Sequence, residues 1–374
     1  MKVLVFGHRL GIARSLEKKG IAYILWTTSE VKNKLKALEI IIEPFPESPE
    51  ILSDKIQNIH DVTHIIAGVE SSVIVASQTR AWLDLKRNPH NVILKCTDKL
   101  KMKRFLSNKG VPSTSFLKAV GQDSSDVIDK LGLPLVAKER LSSGGRGVVF
   151  LKTKAEVDSC IGNDELYFEK AIVGTEGSVE SFISDNEILF SSSTEYYKHG
   201  LCNKIPSRYT KEIKDKILEL NKNVIVAMNI KWGMTHLEYY ITEDEILFGE
   251  IALRPPGGYL MDTLSLCYDD NFWDKFVEVE TGQTDLVFKK LKNYSSSIII
   301  YPSLGKVVCI EGVEKIKALP SFKHLKLNLE IGQLISKREG VGQDFGHAFL
   351  SNSDSKQLDL DVDKFYDLLK IETE

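Results

Sequence analysis

A multidomain protein of the α/β and α+β classes, beginning with a doubly wound parallel-sheet unit, is the fold class this sequence predicts. Three observations carry that expectation. Strand and helix patterns alternate from the N-terminus, which favours a parallel sheet covered on both faces. Two alternating segments, His236–Ile241 and Ile246–Ile251, flank the turn Thr242–Glu245 as a β-hairpin does. From Ser295 onward, short strand patterns are separated by glycine turns. At 374 residues the chain exceeds one typical domain, so two or three packed units are expected.

Taken in order, Lys2–Phe6 (KVLVF) is a β-branched run halted by Gly7, and Ile12 and Leu16 then mark one helical face that ends near Gly20. Ile21–Trp26 and His64–Ala67 read as strands and Val73–Leu85 as a helix, closing a unit of residues 1–94. A boundary is expected near Pro89–Lys95. The central unit, 95–288, opens with an Asp98–Lys109 helix stopped by Gly110 and Pro112. Leu133–Lys138 and Val148–Leu151 are strands around SSGGRG, Ser142–Gly147, a loop able to fold over a ligand; a lid subdomain is expected over about 112–170. Leu166–Lys170 and Ser178–Ile183 are further strands, and Lys211–Met228 and Asp270–Glu280 are helices. The last unit, 289–374, has strands at Ile298–Tyr301, Lys306–Ile310, Leu325–Leu329 and His347–Leu350 and a closing helix at Val362–Leu369.

Composition narrows the function. The chain is 43% hydrophobic and 27% charged, as soluble globular proteins are, and its formal net charge of -3 carries no polybasic signature for nucleic acid. Cys96, Cys160, Cys202, Cys267 and Cys309 are scattered with no C-x-x-C, which fits reduced thiols rather than a disulfide framework or a cysteine zinc site. No apolar stretch reaches the roughly 18 residues of a membrane span. A soluble cytoplasmic protein is expected.

Glu238 and Glu250 lie on the two arms of the hairpin. They are either solvated strand residues or an inward carboxylate pair, a hard oxygen site suited to Mg²⁺ with phosphate and water completing the shell. Leu237, Tyr239 and Ile241 take the face opposite Glu238, while Ile246 and Phe248 share the parity of Glu250. Arg254 follows in IALRPPGG, between the acid and a Pro-Pro-Gly-Gly turn. It is an ordinary surface arginine or a guanidinium held for bidentate recognition of carboxylate or phosphate. Lys138 ends the strand before the glycine-rich loop, whose backbone N–H groups can cradle phosphate. Lys99 is a solvated lysine or a phosphate ligand near a positive helix end. The chain lacks G-x-x-x-x-G-K-[ST] and lacks G-x-G-x-x-G after its first strand, so neither a P-loop nor a dinucleotide fingerprint is present.

The order of these features is similar to that of the ATP-grasp superfamily: Lys99 in TDK, Lys138 before SSGGRG, EKAIVGTE, Glu238 in HLEYY and Glu250 in GEIALRPPGG. IALRPPGG resembles the carboxylate-amine ligase branch that includes L-amino-acid ligases. The resemblance implies an ATP-grasp fold, with an α/β N-terminal domain and a small α+β C-terminal domain. It also implies an enzyme that uses ATP and Mg²⁺, or Mn²⁺, to join a carboxylate to an amine through an acyl phosphate. By that resemblance Lys99 and Lys138 bind the ATP phosphates, Ser143, Gly144 and Gly145 close over them, and Glu169, Ala171 and Ile172 hold adenine. Glu176 takes the ribose, Glu238 and Glu250 the metal, and Arg254 the carboxylate and acyl phosphate, making Arg254 and Lys138 the catalytic pair. Glu70, His199, Gly257 and Gly258 fall where relatives contact substrate. Glu70 is equally a helix N-terminal acid, His199 a surface-loop residue, and His236 either orients a ligand or is structural. Ala252 departs from the pattern, since many relatives carry Asn there, and leaves the number of Mg²⁺ ions open.

The expected partners are small-molecule carboxylates and amines, amino acids among them, with no nucleic acid and no membrane; a homodimer is common in the family. Bicarbonate activation of the biotin-carboxylase kind and a catalytically inactive nucleotide-binding regulator are the competing readings.

Overall fold

The computed structural model describes residues 1–85, 87–338 and 343–374. Four strands, β1 (Lys2–Phe6), β2 (Ala22–Thr27), β3 (Glu39–Ile42) and β4 (His64–Ala67), form the expected N-terminal parallel sheet in the order β3-β2-β1-β4. Val3–Phe6 of β1 and Tyr23–Trp26 of β2 are buried because both faces of the sheet are covered. Val3 and Val5 pack on one face against Leu260, Met261, Phe272 and Phe276, so this sheet shares a core with two helices from much later in the chain.

The expected boundary near Pro89–Lys95 is instead the helix His90–Thr97, running directly into a second helix, Lys99–Ser107. Asp98 divides them as an N-cap, its Oδ1 accepting from the N–H groups of Leu100 and Lys101 at 3.1 Å. A four-stranded antiparallel sheet follows, made of β5 (Phe116–Lys118), β6 (Leu135–Glu139), β7 (Val148–Leu151) and β8 (Leu166–Lys170) in the order β5-β8-β6-β7. The glycine-rich loop joins β6 to β7, as expected.

The largest sheet begins with β9 (Thr175–Ser184), β10 (Glu187–Lys198), β11 (Cys202–Ile205), β12 (Gly233–Ile241), β13 (Ile246–Ala252) and β14 (Tyr294–Ile299). The chain then forms β15 (Gly305–Glu311), β16 (Phe322–Leu327), β17 (Leu334–Ile335), β18 (Gly346–Asn352) and β19 (Lys370–Thr373). Eight strands align as β13-β12-β9-β10-β11-β14-β18-β16, so three strands of the C-terminal α+β unit continue the central sheet; β17-β15-β19 stand apart. The closing helix is longer than its apolar pattern, Ser355–Leu368, because Asp354 caps it through Lys356 N at 2.9 Å. One face of β9, β12 and β13 buries Val179, Leu237, Tyr239, Phe248 and Ile251 against the Lys211–Met228 helix. The opposite face looks toward the β5–β8 sheet. Among the described residues no helix is long and apolar enough to cross a membrane.

Candidate functional site in the cleft between the sheets

Glu238 and Glu250 are direct cross-strand partners. Their shared face depends on a local irregularity. The register slips between Glu238 and Tyr239, so Tyr239 pairs with Phe248 and Gly249 is the extra residue of a β-bulge. Strict alternation gave Phe248 and Glu250 one parity; the bulge breaks it, sending Phe248 into the core and Glu250 into the cleft. Only glycine fits there, because a Cβ on residue 249 would lie 2.9 Å from the Glu238 carbonyl oxygen and 3.0 Å from the Tyr240 ring.

The basic groups converge on this pair. Lys99 Nζ is 3.5 Å from Glu250 Oε2 and donates to the carbonyl of Ser142, joining the first helix of the central unit to the glycine-rich loop. Lys138 Nζ is 2.7 Å from Glu169 Oε2. Burial works against the Lys138 charge, but Glu169, then Glu250 and Glu238, lift its pKa above the ordinary lysine value. That field ties Lys138 to both acids of the hairpin.

Glu169 lies almost fully inside the protein. Lys103 Nζ sits 2.7 Å from its other oxygen, which also accepts from Tyr167 Oη at 3.1 Å. Burial raises the Glu169 carboxyl, yet Lys103 and Lys138 outweigh it and hold the pKa at about 2. Lys103, only 2% exposed, went unnoticed in the sequence, where it looks like one more lysine of a polar helix. Its spacing from Lys99, one helical turn, was the available signal.

A second acid network supports Glu238. His236 Nδ1 is 2.8 Å from Glu180 Oε1 and its Nε2 is 3.4 Å from Glu238 Oε1. Burial opposes protonation, but hydrogen bonds to Glu180 and Glu238 push the imidazole up to about 9. Glu180 is fully buried and accepts from Ser178 Oγ at 2.7 Å and Thr194 Oγ1 at 2.5 Å. His236 therefore braces Glu238 against a fixed anion. Ala252 ends β13 opposite His236 and offers no ligand atom.

Residues 171–174 link β8 to β9 and so join the two sheets. Among the described residues no hydrogen bond uses the backbone of Ala171 or Ile172. Beyond this link, Glu176 Oε2 is 3.0 Å from His199 Nδ1, and the carboxylate raises the His199 pKa. In the loop, Gly144 and Gly145 adopt φ of 66° and 73°, left-handed values that favour glycine, while Arg146 clasps Ser143 through its O and Oγ at 3.2 and 3.1 Å.

Arg254 belongs to a neighbouring cluster. Its Nε is 2.5 Å from Glu70 Oε2 and its Nη1 donates to the Pro255 carbonyl at 2.9 Å. Glu70, just after β4, is thus a partner of Arg254 rather than a free acid. Arg254 lies four positions after Glu250, which keeps their Cα atoms within about 14 Å. Gly257 and Gly258 continue this strand end, with the Gly258 carbonyl fixed by Asn203 Nδ2 at 3.3 Å and Ser297 Oγ at 3.0 Å.

Two carboxylates in register, each steadied by a cation, fit a hard divalent ion. Among the described residues no three His, Cys, Asp or Glu side chains gather to chelate an ion by themselves. The pair would share its ion with oxygens from a ligand, as a metal-nucleotide complex provides.

Residues 104–272 match the model of the ATP-grasp domain. The L-arginine-specific L-amino acid ligase of Bacillus subtilis is 24% identical over 308 residues, covering 76% of this chain and 74% of that protein. The crystal structure of an L-amino acid ligase from Bacillus licheniformis superposes with a TM-score of 0.83 at 16% identity, covering 100% of this chain and 98% of that one. N5-carboxyaminoimidazole ribonucleotide synthetase from Thermotoga maritima superposes with a TM-score of 0.78 at 20% identity, covering 100% and 99%. Lys138, Glu169, Glu238, Glu250 and Arg254 all lie within residues 104–272, the segment that matches the ATP-grasp domain, and the whole chain shares the fold of the superposed ligase and synthetase structures.

Proposed function

We propose that the protein is an ATP-dependent carboxylate-amine ligase, forming an amide or peptide bond and releasing ADP and phosphate. The convergence of Lys99, Lys138, Glu238 and Glu250 in one cleft is the observation that carries this reading. ATP with Mg²⁺ would supply the phosphoryl group that turns an unreactive carboxylate into an acyl phosphate. Lys99 and Lys138 offset the repulsion among the gathered anions. Glu238 and Glu250 hold the ion, and the 171–172 backbone and Glu176 receive the adenosine. Ser143, Gly144 and Gly145 close over the phosphates and exclude water, which would otherwise hydrolyse the activated acid. Arg254, oriented by Glu70, grips the carboxylate as charge builds on it. An amine then displaces phosphate without a protein nucleophile. In domain terms, 1–94 and 289–374 frame the substrate side and 95–288 the nucleotide side, with the β5–β8 sheet as the lid. Five free cysteines, three of them buried, suit a cytoplasmic enzyme.

The test is a phosphate-release screen of amino-acid pairs with Mg-ATP, with products weighed by mass spectrometry. Release that needs both a carboxylate and an amine, with a product one water lighter than their sum, is the expected result. Release driven by bicarbonate instead would place the protein among carboxylases, and nucleotide binding without release in any mixture would remove catalysis.

The bulge yields a second expectation. Gly249→Ala would force the β12–β13 register to shift and displace Glu250, so kcat/KM should fall by about 10²-fold. An unchanged far-ultraviolet circular dichroism spectrum would separate this local effect from unfolding.

A further inference from the structure

A cavity of about 1010 Å³ opens beside Gly257 and Gly258. The Leu10–Lys18 helix forms one wall, Tyr259, Asp262 and Trp273 a second, and His347 and Phe349 of β18 a third. It lies against the loop that follows β1. The sheet order β3-β2-β1-β4 reverses direction between β1 and β4, and in open α/β sheets ligands settle at the carboxyl ends of strands at such a reversal. Here those ends carry Arg9 after β1 and Glu70, with its Arg254 partner, after β4.

The charges around the cavity are unevenly satisfied. Asp274 is bound by Lys18 at 2.6 Å and Asp269 by Lys292 at 2.8 Å. Asp344 accepts from Tyr259 Oη at 2.9 Å, and Asp270 accepts from Asn271 N at 2.9 Å and faces Lys275 at 4.0 Å. Asp262 accepts from Trp273 Nε1 at 3.4 Å, and burial raises its carboxyl pKa. Lys289 donates to the Asp269 carbonyl. Among the described residues three lining cations, Arg9, Arg14 and Lys289, have no acid at ion-pair distance, and Lys289 is engaged by that carbonyl. Arg9 uses only Nε, on the Gly68 carbonyl at 3.2 Å, and Arg14 makes no hydrogen bond or ion pair among the described residues. Burial, and then the like charge of Arg254, outweigh the opposing fields of Asp262 and Tyr259 and depress the Arg9 pKa to about 10, a cost that a bound anion would relieve. Ser15 Oγ, one residue along the same wall, is buried with no hydrogen-bond partner among the described residues.

We propose that Arg9 and Arg14 form a subsite for a second anionic group, carboxylate or phosphate, carried by one of the two substrates beyond the centre gripped by Arg254. This rests on the ligase reading and narrows its substrate class to amino acids with an acidic side chain or their phosphorylated counterparts. The volume suits more than a small neutral amino acid. Tyr259, stacked on His347 with ring centroids 4.0 Å apart, and Phe349 give an apolar wall for the methylene chain between the two polar ends. Arg recognises either oxyanion by paired N–H donors.

The experiment compares glutamate with glutamine, and phosphoserine with serine, as substrates in Mg-ATP-driven phosphate release. The acidic member of at least one pair should have a kcat/KM about tenfold or more above its neutral isostere, and the pair that responds tells carboxylate from phosphate. Arg14→Gln should bring that ratio near unity through KM. Arg9→Lys, which keeps the charge but loses the paired donors, should retain only part of it, and Arg9→Met should lose it. Equal use of acidic and neutral substrates by the wild type, or equal losses on both in the Arg14 variant, overturns the subsite while leaving the ligase in place. Should no mixture drive phosphate release, calorimetric titration with glutamate and phosphoserine decides. Heat present in the wild type and lost in Arg14→Gln upholds the subsite and removes the ligase, whereas no heat with either probe removes the subsite.

Discussion

Glu250→Gln is expected to lower phosphate release by about 10³-fold with little change in thermal stability. The amide keeps the shape of the side chain and its place opposite Glu238, but it removes one of two anions that face each other across the hairpin. Lys99, 3.5 Å from Glu250, then loses a counter-charge just where a divalent ion must be held. Loss of a preorganised electrostatic group in a water-poor site commonly costs 10²–10³ in rate, and a carboxylate shared with a metal belongs at the upper end, about 10³. Steady-state phosphate release across a range of Mg²⁺ concentrations is the measurement. Turnover with wild-type kcat and wild-type Mg²⁺ dependence would show that this pair holds no metal. Arg254→Ala should abolish turnover as well, but it also strands Glu70, so its thermal melt must be recorded beside its rate.

Lys103→Met is expected to destabilise the protein by about 3–5 kcal/mol, because it leaves the buried Glu169 carboxylate with one counter-ion instead of two. The midpoint of urea unfolding should fall accordingly. The same change should raise the KM for ATP, since the surviving lysine, Lys138, would be held more tightly by Glu169 and less available to phosphate. A pH test isolates the triad. The folded pKa of Glu169, about 2, lies below its unfolded value, so its stabilisation is complete above roughly pH 4.5 and disappears as pH falls toward 2. Glu169→Gln should therefore show a shallower loss of stability than the wild type between pH 5 and pH 2. Matching acid profiles would mean that the lysines do not depress this carboxyl.

Much of this architecture was legible in the sequence where residue chemistry and periodicity agree. The hairpin around Thr242–Glu245 carries alternation and a turn, and Glu238 and Glu250 could be placed on its arms from those alone. Gly249 shows where counting by twos fails. A glycine inside a strand pattern is itself a bulge signal, and reading it so would have put Phe248 and Glu250 on opposite faces. β10 and β11 escaped detection for a different reason. The serines of β10 satisfy neighbours, as Ser193 does with Ser207 at 2.7 Å and Ser191 with Ser181 at 2.9 Å, and β11 buries Asn203 and Lys204, so a buried sheet reads as polar loop. Lys103 was hidden by its fully buried environment, which depends on a strand more than sixty residues away. Glu180 likewise becomes meaningful only once β9 lies beside β12 and sets it opposite His236.

The eight strands running from β13 to β16 have a mechanical consequence. A hydrogen-bonded plank of that width resists bending between its two ends, so the Glu238–Glu250 edge and the C-terminal wall of the cavity belong to one piece. If the proposed ligase opens and shuts, that movement falls to the smaller β5–β8 leaf, which is joined to the plank through 171–174 and through the contact of Pro112 and Ser113 with Phe248.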